Sequence, residues 1–297
     1  MSERKESGGN MNAFSGLYVA TLTPFSEDNR VNAGVIREHV GFLIHNGVAG
    51  LCPVGTTGEF LYLSKEEKLR VIRETVRSAQ GRVRVIAGIW SLNMAETARL
   101  AREAEQAGAD AVFLPPPIYY PADEETIFRY YQAVRQVTQL PVFAYNIPAY
   151  ASNTISLACA ERMVQEGVIQ GIKDSTGDAG TMTALVERLG ERISVMAASD
   201  AFVSAARKIG AHGFISALAN YDPALVRRIW DGETDLQETL TLLRSEVKSC
   251  GGLPAIKYLT GLTGFAMGSS RLPFSALTDE QKQRLRQTHE RISAGRH

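Results

Sequence analysis

Glu166-Gly167-Val168-Ile169-Gln170-Gly171-Ile172-Lys173-Asp174-Ser175 joins a helix stop, a short apolar run and an abrupt polar end. Gly167 stands where a helix needs a left-handed residue before the chain enters a strand. The same unit recurs as Asn46-Gly47-Val48-Ala49-Gly50-Leu51, Ala107-Gly108-Ala109-Asp110-Ala111-Val112 and Ile209-Gly210-Ala211-His212-Gly213-Phe214. Successive leading glycines lie 61, 59 and 43 residues apart. The first two gaps each match about two βα units, so these glycines are expected to precede strands 2, 4, 6 and 8.

The odd strands fall between them, at Gly16-Leu17-Tyr18-Val19-Ala20-Thr21, Val83 to Gly88, Val142-Phe143-Ala144-Tyr145 and Ile193 to Ala197. These runs are short, β-branched and apolar, as strands buried on both faces should be. Helical patterns separate them. Ser64 and Glu67 form a capping box ahead of an apolar stripe of Leu69, Ile72 and Val76. Met94, Ala98, Ala101 and Ala104 give the next helix a face of small residues. Strict βα alternation through Asp231, then helical segments at 236–262 and 277–292 with no strand, predicts an α/β fold, a (β/α)8 TIM barrel with a C-terminal helical extension. A doubly wound sheet would carry Gly-x-Gly-x-x-Gly after strand 1, where this chain has Thr21-Leu22-Thr23-Pro24-Phe25. The expected organisation is a disordered tail at 1–13, the barrel at 14–232 and the extension at 233–297.

Lys and Arg together number 32, as do Asp and Glu, so the net field recommends neither nucleic acid nor an anionic membrane as a partner. No apolar run reaches the ~18 residues of a membrane span, and the first residues lack the apolar core of a signal peptide. Cys52, Cys159 and Cys250 cannot all pair and lack zinc-ligand spacing, which fits a reducing, cytoplasmic setting. The five histidines form no ligand pair, so no metal site is expected.

An amine ending an apolar strand is poorly hydrated, which disfavours its charged form and favours a nucleophile. Tyr145, 28 residues before Lys173, ends the preceding strand, and in a parallel barrel both ends open on one face. Pro53-Val54-Gly55-Thr56-Thr57-Gly58-Glu59 places two hydroxyls between glycines ahead of a helix, a cradle for a carboxylate or phosphate. Each signal alone has a bland reading: a salt-bridged lysine, a core aromatic, a glycine-rich turn. Their conjunction at strand ends is what points to catalysis, because that rim is where barrel enzymes place it. Ile215-Ser216-Ala217-Leu218-Ala219-Asn220 suits a pocket floor or close packing equally. Cys52 lacks an assignable histidine partner and reads as a buried structural thiol.

Gly55-Thr56-Thr57-Gly58-Glu59, Tyr145-Asn146-Ile147-Pro148 and Gly171-Ile172-Lys173-Asp174, in this order and spacing, resemble the dihydrodipicolinate synthase and N-acetylneuraminate lyase family of class I aldolases. The resemblance runs from Gly16 through the C-terminal helices. It implies that Lys173 forms a Schiff base with C2 of pyruvate or another 2-keto acid, that Tyr145 shuttles protons, and that Thr56 and Thr57, with Gly55, hold the keto-acid carboxylate. It also implies a hydroxyl relay from Thr56 to Tyr145, completed by a tyrosine from a neighbouring subunit, Tyr119 or else Tyr120, and so a homo-oligomer, a tetramer built as a dimer of dimers. No cofactor or metal is implied, since the protonated imine is the electron sink.

Two departures within the family bear on substrate. Tyr150 stands where the synthase branch has a carboxylate-binding arginine, and Asp200-Ala201 stands where the sialic acid branch has Asp-Glu. These favour the 2-keto-3-deoxygluconate aldolase branch, with Ser199, Asp200, Tyr150 and Ser216 near the substrate. The expected reaction is cleavage of a 2-keto-3-deoxy sugar acid to pyruvate and a hydroxyaldehyde. Dihydrodipicolinate synthase-like condensation of pyruvate with an aldehyde, dehydration of the sugar acid through the same imine, and a silent binding barrel are the alternatives. A phosphate-substrate barrel lacks its glycine-rich loop after strands 7 and 8.

Overall fold

The computed structural model describes residues 14–294, and the tail expected at 1–13 lies outside the described residues. Eight strands, β1 (Gly16–Val19), β2 (Gly50–Leu51), β3 (Arg84–Gly88), β4 (Ala111–Leu114), β5 (Val142–Asn146), β6 (Gly171–Asp174), β7 (Ser194–Ala198) and β8 (Gly213–Ser216), pair in sequence order. All pairings are parallel, and β1 closes the barrel on β8 with Tyr18 opposite Ile215. Around them run α1 (Ala33–His45), α2 (Lys65–Ala79), α3 (Met94–Ala107), α4 (Glu124–Arg135), α5 (Pro148–Ala151), α6 (Leu157–Gln165), α7 (Ala179–Leu189), α8 (Val203–Ile209) and α9 (Pro223–Asp231). α10 (Gln237–Ser249), α11 (Leu253–Leu262) and α12 (Asp279–Ala294) follow without a strand. The chain is a TIM barrel with C-terminal helices. No helix among the described residues is long and apolar enough to cross a membrane.

The four glycines of the repeated unit precede β2, β4, β6 and β8 and have φ between +68° and +97°. An L side chain would cost roughly 1–2 kcal/mol there, which is why the unit recurs with glycine. Ser64 and Glu67 form the expected capping box: Glu67 N–H donates to Ser64 Oγ at 3.2 Å, and Ser64 N–H to Glu67 Oε2 at 2.9 Å. β1 is shorter than its apolar run and stops at Val19. Beyond it the Asn220 side chain replaces strand pairing, accepting from Leu22 N–H at 3.0 Å and donating to the Ala20 carbonyl at 2.8 Å.

Apolar burial is divided in two, as expected for strands covered on both faces. One core lies between strands and helices, and the other fills the barrel with Tyr18, Ile86, Phe113, Phe143, Met196 and Ile215. Glycines make room for the inner aromatics: a Cβ at Gly171 would overlap the Phe143 ring, and one at Gly50 the Tyr18 ring. Lys173 stands two residues beyond Gly171 on the same inward face. Gly171→Ala should therefore lose about 1–3 kcal/mol in urea unfolding through overpacking. Wild-type stability would show that Phe143 yields.

Candidate active site

The register of β5 on β6 puts Tyr145 opposite Lys173. Strand alternation turns both side chains inward, above Phe143 and Gly171. Lys173 is only 5% exposed. Its ammonium lies 3.9 Å from the Tyr145 ring centroid and 5.7 Å from that of Phe113. The two rings are 5.8 Å apart and tilted by 57°. Attraction to the ring faces offsets part of the cost of removing the cation from water. The salt-bridge alternative fails: among the described residues no carboxylate pairs with Lys173. Burial pushes the nearby Cys52 thiol up to about 12, with the Lys173 charge acting against that shift. Such a thiol stays protonated at neutral pH and is structural.

Facing these groups, Thr56–Gly58 forms one 3-10 turn at the end of β2. The turn is fixed at three points. A Cβ on Gly55 would come within 3.0 Å of Phe113. The Gly58 carbonyl accepts from Thr23 Oγ1 at 2.7 Å. Glu59, left-handed at φ 59°, ion-pairs through Oε1 with Lys257 Nζ at 2.6 Å and accepts the Arg271 N–H on Oε2 at 2.8 Å. Thr56 and Thr57 are half-buried. A narrow cleft is lined by Gly55, Thr56, Phe60, Trp90, Phe113 and Tyr145, while Thr57 lies one residue further along the turn. Lys68 on α2 holds the Trp90 carbonyl at 3.0 Å. The ends of β5 and β6 are locked by Asn146 Nδ2 donating to Asp174 Oδ1 at 2.7 Å, and burial raises the Asp174 pKa.

The remaining rim residues divide. Ser216 donates its hydroxyl to Asp200 Oδ1, and Leu218 N–H donates to Oδ2 at 3.3 Å. The Asp200 carboxylate, expected near the substrate, is buried and bonded to β8, its pKa raised by desolvation. A carboxylate with both oxygens engaged fastens β7 to β8, and Ser216 is its partner. Ser199, at φ 84°, borders Gly177 in the loop after β6.

Tyr119 and Tyr120 stack edge to face at 5.0 Å, and they and Tyr150 are strongly exposed; none lines the cleft of the single chain. Tyr119 has φ 81°, and its loop is gripped by buried Asn153, which donates to the Pro117 and Tyr120 carbonyls at 2.6 and 2.9 Å and accepts from Ala122 N–H at 2.9 Å. Phe113, Glu59, Lys257 and Asn153 went unassigned in the sequence; Glu59, at the end of the threonine motif, was the one within reach.

The model of the dihydrodipicolinate synthetase family matches residues 13–292. The chain belongs to that family. Its members are Schiff-base aldolases and related lyases that use pyruvate and an aldehyde and usually oligomerise. A 4-hydroxy-tetrahydrodipicolinate synthase of Pelobacter propionicus is 32% identical over 277 residues, covering 91% of this chain and 95% of that protein. The crystal structure of a dihydrodipicolinate synthase from Bacillus anthracis superposes with a TM-score of 0.88 at 29% identity, covering 93% of this chain and 98% of that one. CdNal from Clostridium difficile, solved in complex with mannosamine, gives 0.89 at 25% identity, with 93% and 98% covered.

Proposed function

We propose that this chain is a class I lyase that cleaves a 2-keto-3-deoxy sugar acid to pyruvate and a short hydroxyaldehyde. The observation that carries the chemistry is the desolvated Lys173 amine against the Tyr145 ring, without a carboxylate partner among the described residues. The neutral amine attacks the C2 carbonyl, and Tyr145 protonates the carbinolamine hydroxyl so that it leaves as water. The protonated imine then draws in the C3–C4 bonding electrons as Tyr145 takes the C4 hydroxyl proton. Aldehyde departs, the enamine is protonated at C3, and water hydrolyses the imine to release pyruvate and the amine. Thr56 and Thr57 hold the carboxylate. The imine supplies the electron sink, so no metal or other cofactor enters these steps.

The substrate class rests on Tyr150, a neutral phenol where a second substrate carboxylate would call for a bidentate guanidinium. Tyr150 and Ser199 then serve the hydroxylated end. A second reading, condensation of pyruvate with aspartate semialdehyde, is favoured by the synthase names of relatives such as the Pelobacter protein. With a chelator present throughout, kcat/KM should be at least about tenfold higher for 2-keto-3-deoxygluconate than for N-acetylneuraminate or for the condensation, about 1.4 kcal/mol in transition-state binding. A higher value for either competitor overturns the substrate assignment, and turnover restored only by added metal overturns the metal-free mechanism.

Exposed Tyr119 and Tyr120, with Leu61 and Leu92 also exposed in rim loops, support assembly through this face. The assembly is a tetramer of two dimers, with Tyr119 completing the partner's proton relay. Light scattering should give the tetramer mass for active enzyme. An active monomer contradicts the shared site.

A further inference from the structure

The 3-10 turn bearing Thr56 and Thr57 ends in a residue with a costly backbone. Glu59 is left-handed without being glycine, a conformation that persists only where the surroundings enforce it. Its N–H donates to the Thr56 carbonyl at 3.2 Å and its carbonyl accepts from Tyr62 N–H at 2.9 Å, so Glu59 closes the turn and opens the next one. The Glu59 carboxylate is held from far along the chain, by Lys257 on α11 and by Arg271 in the segment between α11 and α12. The Lys257 ammonium on α11 meets the Glu59 carboxylate at 2.6 Å with both side chains almost fully buried, donates to the Ser269 carbonyl at 3.3 Å and lies 4.1 Å from the Phe25 ring centroid. Arg271 gives its backbone N–H to Glu59, its guanidinium to both Glu67 oxygens on α2, and a further bond to the Tyr62 carbonyl at 2.8 Å.

A buried ion pair adds little net stability over apolar residues of the same volume, so its presence calls for a positional reason. Here the pair acts on the backbone of the two threonines. We infer that Glu59 and Lys257 are positioning residues that hold the Thr56–Thr57 turn in its carboxylate-binding geometry, which makes the C-terminal helices part of the substrate site. This rests on the reading of that turn as the keto-acid cradle. Burial lowers the Lys257 pKa to about 8, with Glu59 acting against that shift, so the ammonium has little margin once its partner is removed. The Arg271 guanidinium, also facing Phe25, cannot replace it because all five of its N–H groups are engaged, by Glu67, the Tyr62 carbonyl and Asn29.

The test is borohydride trapping on the intact enzyme, read by protein mass, with pyruvate and with acetone, a ketone of similar size that has no carboxylate. Folding is checked by circular dichroism. In Lys257→Met the half-saturating pyruvate concentration should rise about tenfold or more, while that for acetone stays at the wild-type value. Glu59→Gln, which keeps the side-chain volume and lets Lys257 shed its proton, should show the same selective rise and decides the matter if Lys257→Met fails to fold. A folded variant with wild-type pyruvate dependence overturns the inference. So does an equal rise for both ketones, which marks general loosening. Wild-type enzyme that traps neither ketone instead overturns the imine reading on which the inference stands.

Discussion

The contact between the Lys173 ammonium and the Tyr145 ring is the constraint to which the other features of the site answer. It needs two adjacent parallel strands in a register that sets these residues opposite each other, and a pleat that turns both inward. It also needs a dry floor, supplied by Phe143 and Phe113, and Gly171 is the residue that lets Phe143 fit beneath the amine. Lys173 is withdrawn from water, and its ammonium faces the Tyr145 and Phe113 rings, whose quadrupoles attract it.

In the proposed mechanism that contact supplies the nucleophile and the proton carrier, and orientation of the substrate has to come from elsewhere. Thr56, in the turn after β2, brings a hydroxyl to the cleft that Tyr145 and Phe113 also line. A turn of this length has no packing of its own, so its geometry is borrowed from Phe113, Thr23 and the Glu59–Lys257 pair. Helices added after the eighth βα unit thereby reach into the rim. Asn153 plays a comparable part for the Tyr119 loop, and Asp200 for the ends of β7 and β8.

The barrel was legible in the sequence because its signals are local. A glycine with positive φ ahead of each even strand, a capping box and short β-branched runs each depend on neighbours within a turn or two. The conjunction of Lys173, Tyr145 and the threonine turn could be read because barrel topology brings strand ends together whatever the helices between them contain. Lys257 could not be read this way, since a lysine in a helix has no signature of a partner 198 residues away. The bonds that Asp200 makes to β8 were out of reach of the sequence for a related reason. A carboxylate after a strand has the same sequence whether it faces a ligand or bonds back to the next strand, and only the Ser216 and Leu218 contacts decide between them. The early end of β1 likewise depends on Asn220, at the far end of the barrel sequence.

The central claim is that the amine of Lys173 is the covalent nucleophile. It is tested most directly by incubating the native enzyme with pyruvate and borohydride and mapping the adduct by peptide mass spectrometry. The account predicts one reduced pyruvyl group per chain, on the peptide containing Lys173, and none in Lys173→Ala. An adduct on another lysine, or full turnover by Lys173→Ala, would contradict it.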